Sequence, residues 1–191
     1  MTEKTIEFGE DLVAHIVPDG DVEQPYDGDD SVRIVVLHGR YSDPSKGECG
    51  KTPEEVERWA KENAREWYVV PLWMYDHSGT AYGVGEQNPF TCPWDSGRVG
   101  IVALRKDEWG KGRGELDSTR FEYAKGVAQA YTSWANGDCW GYVLKDAEGI
   151  EIDSCFGFIG MDSVEEAARE AAEFYMAPAE PENGEGTRPS I

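Results

Sequence analysis

Basic residues are scarce in this 191-residue chain: eighteen Lys and Arg stand against thirty-eight Asp and Glu, a net charge of −20. With no basic stripe to neutralise phosphates, direct binding to nucleic acid is disfavoured. Cysteine is sparse as well. Cys49, Cys92, Cys139 and Cys155 are widely spaced and no C-x-x-C occurs, which argues against a zinc ribbon. Histidine is limited to three residues without H-x-H or H-E-x-x-H spacing. No apolar run approaches a membrane span, and the first ten residues lack a basic stretch followed by an apolar one. These absences lead to the expectation of a soluble, cytoplasmic chain with free thiols, no cofactor and no metal.

Acid is abundant and unevenly placed. Residues 1–30 carry ten acids and one Lys, and residues 161–191 carry eight acids and two Arg. The middle, 31–160, is nearly balanced, with twenty acids and fifteen bases. Three readings stay open: solvated ends that keep the chain monomeric, adaptation to high salt, or a surface that competes with nucleic acid for a basic groove.

The length suits one domain over residues 1–176, followed by a tail, 177–191, of disordered composition. Apolar runs at 12–17, 31–37, 68–75, 80–84, 98–104, 139–144 and 150–158 read as strands. Pro71 inside the third run marks an edge strand or a bulge. Thr52-Pro53-Glu54-Glu55 is a capping box with proline at the first helical position, opening a helix to about Trp67 with Val56, Trp59, Ala60, Asn63, Ala64 and Trp67 inward. A second helix starts at Asp117 or Ser118 and stops at Asn136-Gly137, with Phe121, Ala124, Ala128, Tyr131 and Ala135 inward. Ser163-x-x-Glu166 opens a third, to about Met176. Strands and helices do not alternate regularly, so the expected class is α+β: an antiparallel or mixed sheet of five to seven strands with three helices. The basic, glycine-rich stretch 106–114 reads as an exposed loop lacking P-loop spacing, with a weak contact role open to Lys111 and Arg113.

Three segments repeat one theme: Asp76-His77-Ser78-Gly79, Trp94-Asp95-Ser96-Gly97 and Asp153-Ser154-Cys155. A carboxylate beside a hydroxyl either satisfies free backbone donors at a turn or presents both groups to a ligand. In an enzyme, Asp76, His77, Cys92, Asp95, Ser96, Asp153 and Cys155 would share one pocket, with Cys92 or Cys155 as nucleophile and His38 or His77 as base. No G-x-S-x-G or other local signature supports that assembly. His77 with Asp76, Asp95 and Asp153 would form a hard, oxygen-rich site suited to manganese or magnesium. Trp73, Tyr75, Trp94 and Trp140 flank these turns and are candidate interface anchors, large in area and with a polar handle.

The ordered set Tyr75-Asp76-His77-Ser78-Gly79, Cys92-Pro93-Trp94-Asp95-Ser96-Gly97-Arg98-Val99-Gly100, Gly137-Asp138-Cys139-Trp140-Gly141-Tyr142-Val143 and Asp153-Ser154-Cys155-Phe156-Gly157-Phe158 resembles a family of small proteins encoded by tailed bacteriophages and related mobile elements. The resemblance covers residues 68–160 and implies a context, a phage accessory product in the host cytoplasm, without an activity to carry over. A shorter piece, Val36-Leu37-His38-Gly39-Arg40-Tyr41 with Tyr75-Asp76 before a glycine turn, is similar to acidic antirestriction proteins that mimic DNA. Those proteins spread their acids along the chain, whereas here the acids gather toward the ends. The resulting expectation is a non-enzymatic, acidic phage protein that binds a host protein, a basic component of a defence or nucleic-acid-handling system. An enzyme or ligand binder built on the Asp/His/Ser/Cys turns, and a virion-associated structural protein, are the competing readings.

Overall fold

A computed structural model describes residues 3–41, 43–109 and 117–177. Eight strands and three helices follow in the order β1 (Lys4–Phe8), β2 (Leu12–Pro18), β3 (Val32–Val36), α1 (Pro53–Asn63), β4 (Trp67–Asp76), β5 (Thr80–Val84), β6 (Ser96–Arg105), α2 (Asp117–Ala135), β7 (Cys139–Lys145), β8 (Glu151–Ile159) and α3 (Met161–Met176). The class is α+β, as the sequence suggests. Instead of one sheet of five to seven strands there are two four-stranded sheets, β1-β2-β7-β8 and β3-β6-β4-β5, paired antiparallel throughout. The extra strand is β1, whose Lys4-Thr5-Ile6-Glu7-Phe8 has too few apolar residues to stand out and is held by pairing to β2.

The chain's middle builds the sheet β3-β6-β4-β5, and its two ends build the other. In β6 both faces are covered, so Val99–Leu104 is apolar without alternation. Val102 and Leu104 meet Ala124, Val127, Ala128 and Tyr131 of α2, together with Val70, Leu72 and Tyr82. Ile101 and Ala103 meet Val56 and Trp59 of α1 on the opposite face, together with Val35 and Cys49. Gly100 is required where β3 passes β6, because a Cβ there would lie 1.8 Å from the Val35 carbonyl oxygen. In the other sheet, Leu12, Ala14, Ile16, Tyr142 and Leu144 bury against Val164, Ala168 and Ala172 of α3. The small residues of α3 let the helix lie close to the sheet.

Several local expectations need correction. Helix α1 stops at Asn63, and Trp67 begins β4 rather than ending the helix; Val56 is its fully buried residue. Its capping box forms with a shift: Thr52 Oγ1 accepts from Glu55 N at 3.3 Å, while Glu55 Oε2 reaches Lys51 N at 2.7 Å. Val127 replaces Ala135 on the inner face of α2, and Ala135 is exposed at the helix end. The Ser163/Glu166 box does not cap α3. Gly160, at φ 87°, turns β8 straight into the helix, and its N–H donates to the Asp138 carbonyl at 2.8 Å. The 110–114 loop with Lys111 and Arg113, and the tail beyond residue 177, lie outside the described residues.

Pro71 sits in an interior strand, next to a register shift at Leu72/Trp73. β5 stops pairing at Leu72↔Val84, and Gly85 N donates to the Pro71 carbonyl at 3.1 Å. A strand residue's N–H and C=O project to the same edge, so the proline nitrogen faces the side where the ladder has just ended.

Candidate functional site

The β4–β5 turn and the loop before β6 meet at one end of the middle sheet. Asp76 N donates to the Asp95 carbonyl at 2.9 Å, which joins the first two Asp/Ser segments through the backbone. Around that bond gather Asp76, His77, Cys92, Asp95 and Ser96. The third segment does not join them. Asp153 and Cys155 lie on β8 in the other sheet, where Asp153 Oδ2 accepts from Tyr142 Oη at 2.8 Å and Cys155 is exposed. That contact, added to burial, pushes the Tyr142 hydroxyl well above its ordinary ionisation range.

Within the gathered group, hydrogen bonds show what each side chain does. Asp95 Oδ2 accepts from Cys92 Sγ at 3.1 Å and has His77 Nδ1 at 3.8 Å. The carboxylate therefore stands between thiol and imidazole. Thiolate catalysis needs the imidazole against the sulfur and the carboxylate behind it, so this order does not activate Cys92. Ser96 Oγ donates to the Cys92 carbonyl at 2.5 Å and accepts from Asn88 Nδ2 at 2.8 Å. Ser78 Oγ donates to the His77 carbonyl at 2.6 Å, and Ser154 Oγ donates to Glu151 at 2.8 Å. Asp76 Oδ2 accepts from Arg40 at 2.7 Å and Tyr41 Oη at 3.3 Å. Asn136 clamps the same turn to α2, with Oδ1 taking Thr80 N at 3.0 Å. The carboxylates and hydroxyls thus close turns and tie loops together. Among the described residues no group of three or more His, Cys, Asp or Glu is arranged to hold a metal ion.

The four aromatic candidates separate sharply. Trp140 is 4% exposed, packs in the core under α3 and donates Nε1 to Asp138 Oδ1 at 2.6 Å, so it is no surface anchor. Trp73 is half-buried and donates to the Gly85 carbonyl at 2.8 Å. Tyr75 is half-buried between His77 and Phe90, with ring centroids 6.3 and 5.8 Å away. Trp94 alone stands out in solvent, at 92% exposure. Its loop is not loose: Phe90 packs over Gly83 and Tyr75, and the Asp95, Ser96 and Asn88 bonds hold it on both sides. A rigid loop presenting one bare indole is the feature the sequence motif encodes.

Arg40, Tyr41, Asn88, Phe90 and Asn136 complete this region; the contacts of Arg40, Tyr41 and Asn136 with the β4–β5 turn span 35 to 56 residues and cannot be read from local sequence. A second apolar exposure, Phe156 with Phe174, Tyr175 and Met176, was also unforeseen. Three consecutive large apolar residues at a helix end cannot all face the core, and that is a signal the sequence holds.

Comparisons with protein families, with curated proteins and with solved structures return no match to this chain.

Proposed function

We propose that this chain is a non-enzymatic, acidic binding protein that anchors a basic protein partner through Trp94. The observation that carries the reading is the 92% exposed indole on a braced loop. Exposing a tryptophan is costly in water and is repaid when a partner pocket takes the ring, which is why tryptophan is enriched among residues that dominate interface energy. The chain's −20 charge supports a partner of opposite sign. Its acid-rich ends support the same: β1 and β2 form one layer with α3, which carries Asp162, Glu165, Glu166, Glu170 and Glu173 against Arg169. The resemblance to phage-encoded proteins supports a bacterial host partner of a defence or nucleic-acid-handling system, occupied in place of its nucleic acid.

The acidic ends are not detachable, since Leu12, Ala14 and Ile16 of β2 are buried in the core. The test therefore uses point variants of the full chain. Tagged protein is presented to bacterial lysate at low and at high salt, alongside Trp94→Ala and a form with Glu7, Glu10, Glu166, Glu170 and Glu173 changed to Gln. A basic protein retained at low salt, weakened roughly thirtyfold or more by Trp94→Ala, supports the proposal. Capture that is indifferent to both Trp94 and the acids, or no capture at all, refutes it.

A further inference from the structure

A trough runs along α1 where the helix packs on β4 and β6, on the face of the sheet opposite the one α2 buries, with the first residue of α2 at its edge. Its larger part encloses about 440 Å³ and has an apolar floor of Trp67, Val69, Pro71 and Ile101. Ala60 and Ala64 form the helix wall, and their small side chains leave it open. A second cavity of about 140 Å³, floored by Leu37, Val56 and Val99, lies beside it and shares Glu57 and Arg98 as lining residues. β5 pairs only with Leu72–Asp76, so the first half of β4 has β6 on one edge and no strand on the other, and α1 covers only part of this face.

The rim reverses the sign of the molecule. Lys61, Arg98 and Lys106 line the larger part against Glu57 and Asp117. Arg98 lies 3.9 Å from Glu57, and Arg120 holds Asp117 at 3.1 Å, so both acids are already engaged. Lys106 Nζ donates to the Ala64 carbonyl at 2.9 Å and has no acidic partner among the described residues. Lys61 is exposed and, among the described residues, has no partner of either kind. In a chain with twice as many acids as bases, two cations without counter-charges beside an elongated apolar floor define a ligand chemistry.

We infer that this trough binds an amphipathic organic anion, a medium-chain aliphatic carboxylate, with its tail along Val69, Pro71 and Ile101 and its carboxylate between Lys61 and Lys106. A floor that runs from Trp67 through Val69 and Pro71 to Ile101 suits an extended chain better than a compact ring. The remaining charge of the protein repels anions in general, so binding depends on apolar burial together with the local lysines.

Decanoate below its micellar range, titrated into full-length ¹⁵N-labelled protein, tests this. Saturable shifts of the Ala60, Lys61, Val69 and Ile101 amides are expected. Decyltrimethylammonium, with the same tail and the opposite charge, should bind about tenfold more weakly. Ala60→Trp, which fills the trough, should abolish the shifts. Lys61→Glu, at an exposed site that leaves the melting temperature unchanged, should weaken decanoate roughly threefold. Equal binding of the two amphiphiles, shifts centred on Phe156 and Phe174, no saturable shift, or full decanoate affinity in Lys61→Glu overturns the inference.

Discussion

Tyr82 shows how a single atom can be at odds with its surroundings. Its ring is buried between the middle sheet and α2, edge-on to Tyr131 at 4.8 Å, yet its hydroxyl has no hydrogen-bond partner among the described residues. Leaving a buried hydroxyl unsatisfied costs about 1–3 kcal/mol, so Tyr82→Phe should leave stability unchanged or raise it by up to about 1 kcal/mol in a thermal melt. Gly100→Ala should act in the opposite direction. Its Cβ would overlap the Val35 carbonyl oxygen, and separating the β3–β6 ladder should cost at least about 2 kcal/mol. The cysteines are also distinguishable one by one. Cys155 is exposed, Cys92 is half-buried and donates to Asp95, and Cys49 and Cys139 are buried. Iodoacetamide followed by mass spectrometry should modify Cys155 first and Cys49 last, and first modification of Cys92 would instead revive nucleophilic chemistry at the β4–β5 end.

Elements were legible in proportion to how locally they are determined. Seven strands and three helices could be read from apolar runs and helix signals because burial imposes a period on the sequence wherever an element faces one core. β1 does not stand out because an edge strand among six polar or charged residues in the first ten owes its form to β2, not to its own composition. The start of α3 was misplaced for a related reason. Ser163 and Glu166 have the right spacing for a box, but the chain is committed to the helix three residues earlier, by Gly160 at φ 87° and the Asp138 carbonyl. Gly160→Ala should therefore destabilise by about 1–3 kcal/mol, whereas Ser163→Ala should be nearly neutral, a contrast measurable by urea unfolding. The candidate site was half legible. Short spacing predicted that Asp76, His77, Asp95 and Ser96 lie at turns. Nothing in the sequence reveals that two of the three segments share one end of a sheet while Asp153 and Cys155 lie within a strand of the other, because that depends on strand order.

For the molecule as a whole, buried protons set the alkaline limit of stability. Burial pushes the Cys49 thiol and the Tyr131 hydroxyl each up to about 12, and it raises Tyr82 and Tyr142 as well. In the unfolded chain these groups ionise near their ordinary values of 9.0 and 10.0. The folded form therefore holds protons that the unfolded form releases. Stability is full below about pH 9 and falls as pH rises toward 12, by about 1.4 kcal/mol per pH unit for each such group. Melting temperatures measured from pH 8 to 11 should decline from about pH 9 onward. Cys49→Ala should lose the earliest part of that decline, and a flat profile to pH 11 would contradict it.

The split between the two sheets also sets a timetable for synthesis. The strands of the middle sheet are all made once residue 105 has emerged, since they fall within Val32–Arg105, and α2, which covers one face, follows at Asp117–Ala135. The β1–β2 hairpin meets its partner β7 only when Cys139–Lys145 follows. At translation speeds of about 5–20 residues per second, the forty residues from Arg105 to Lys145 take roughly 2–8 s, during which the apolar face of Leu12, Ala14 and Ile16 waits beside strands already made. During that interval the nascent chain carries an open hairpin edge. Chaperone occupancy on the ribosome should concentrate there, and the acids of the first thirty residues would then serve a second purpose, keeping neighbouring nascent chains on a polysome apart until the C-terminal strands arrive.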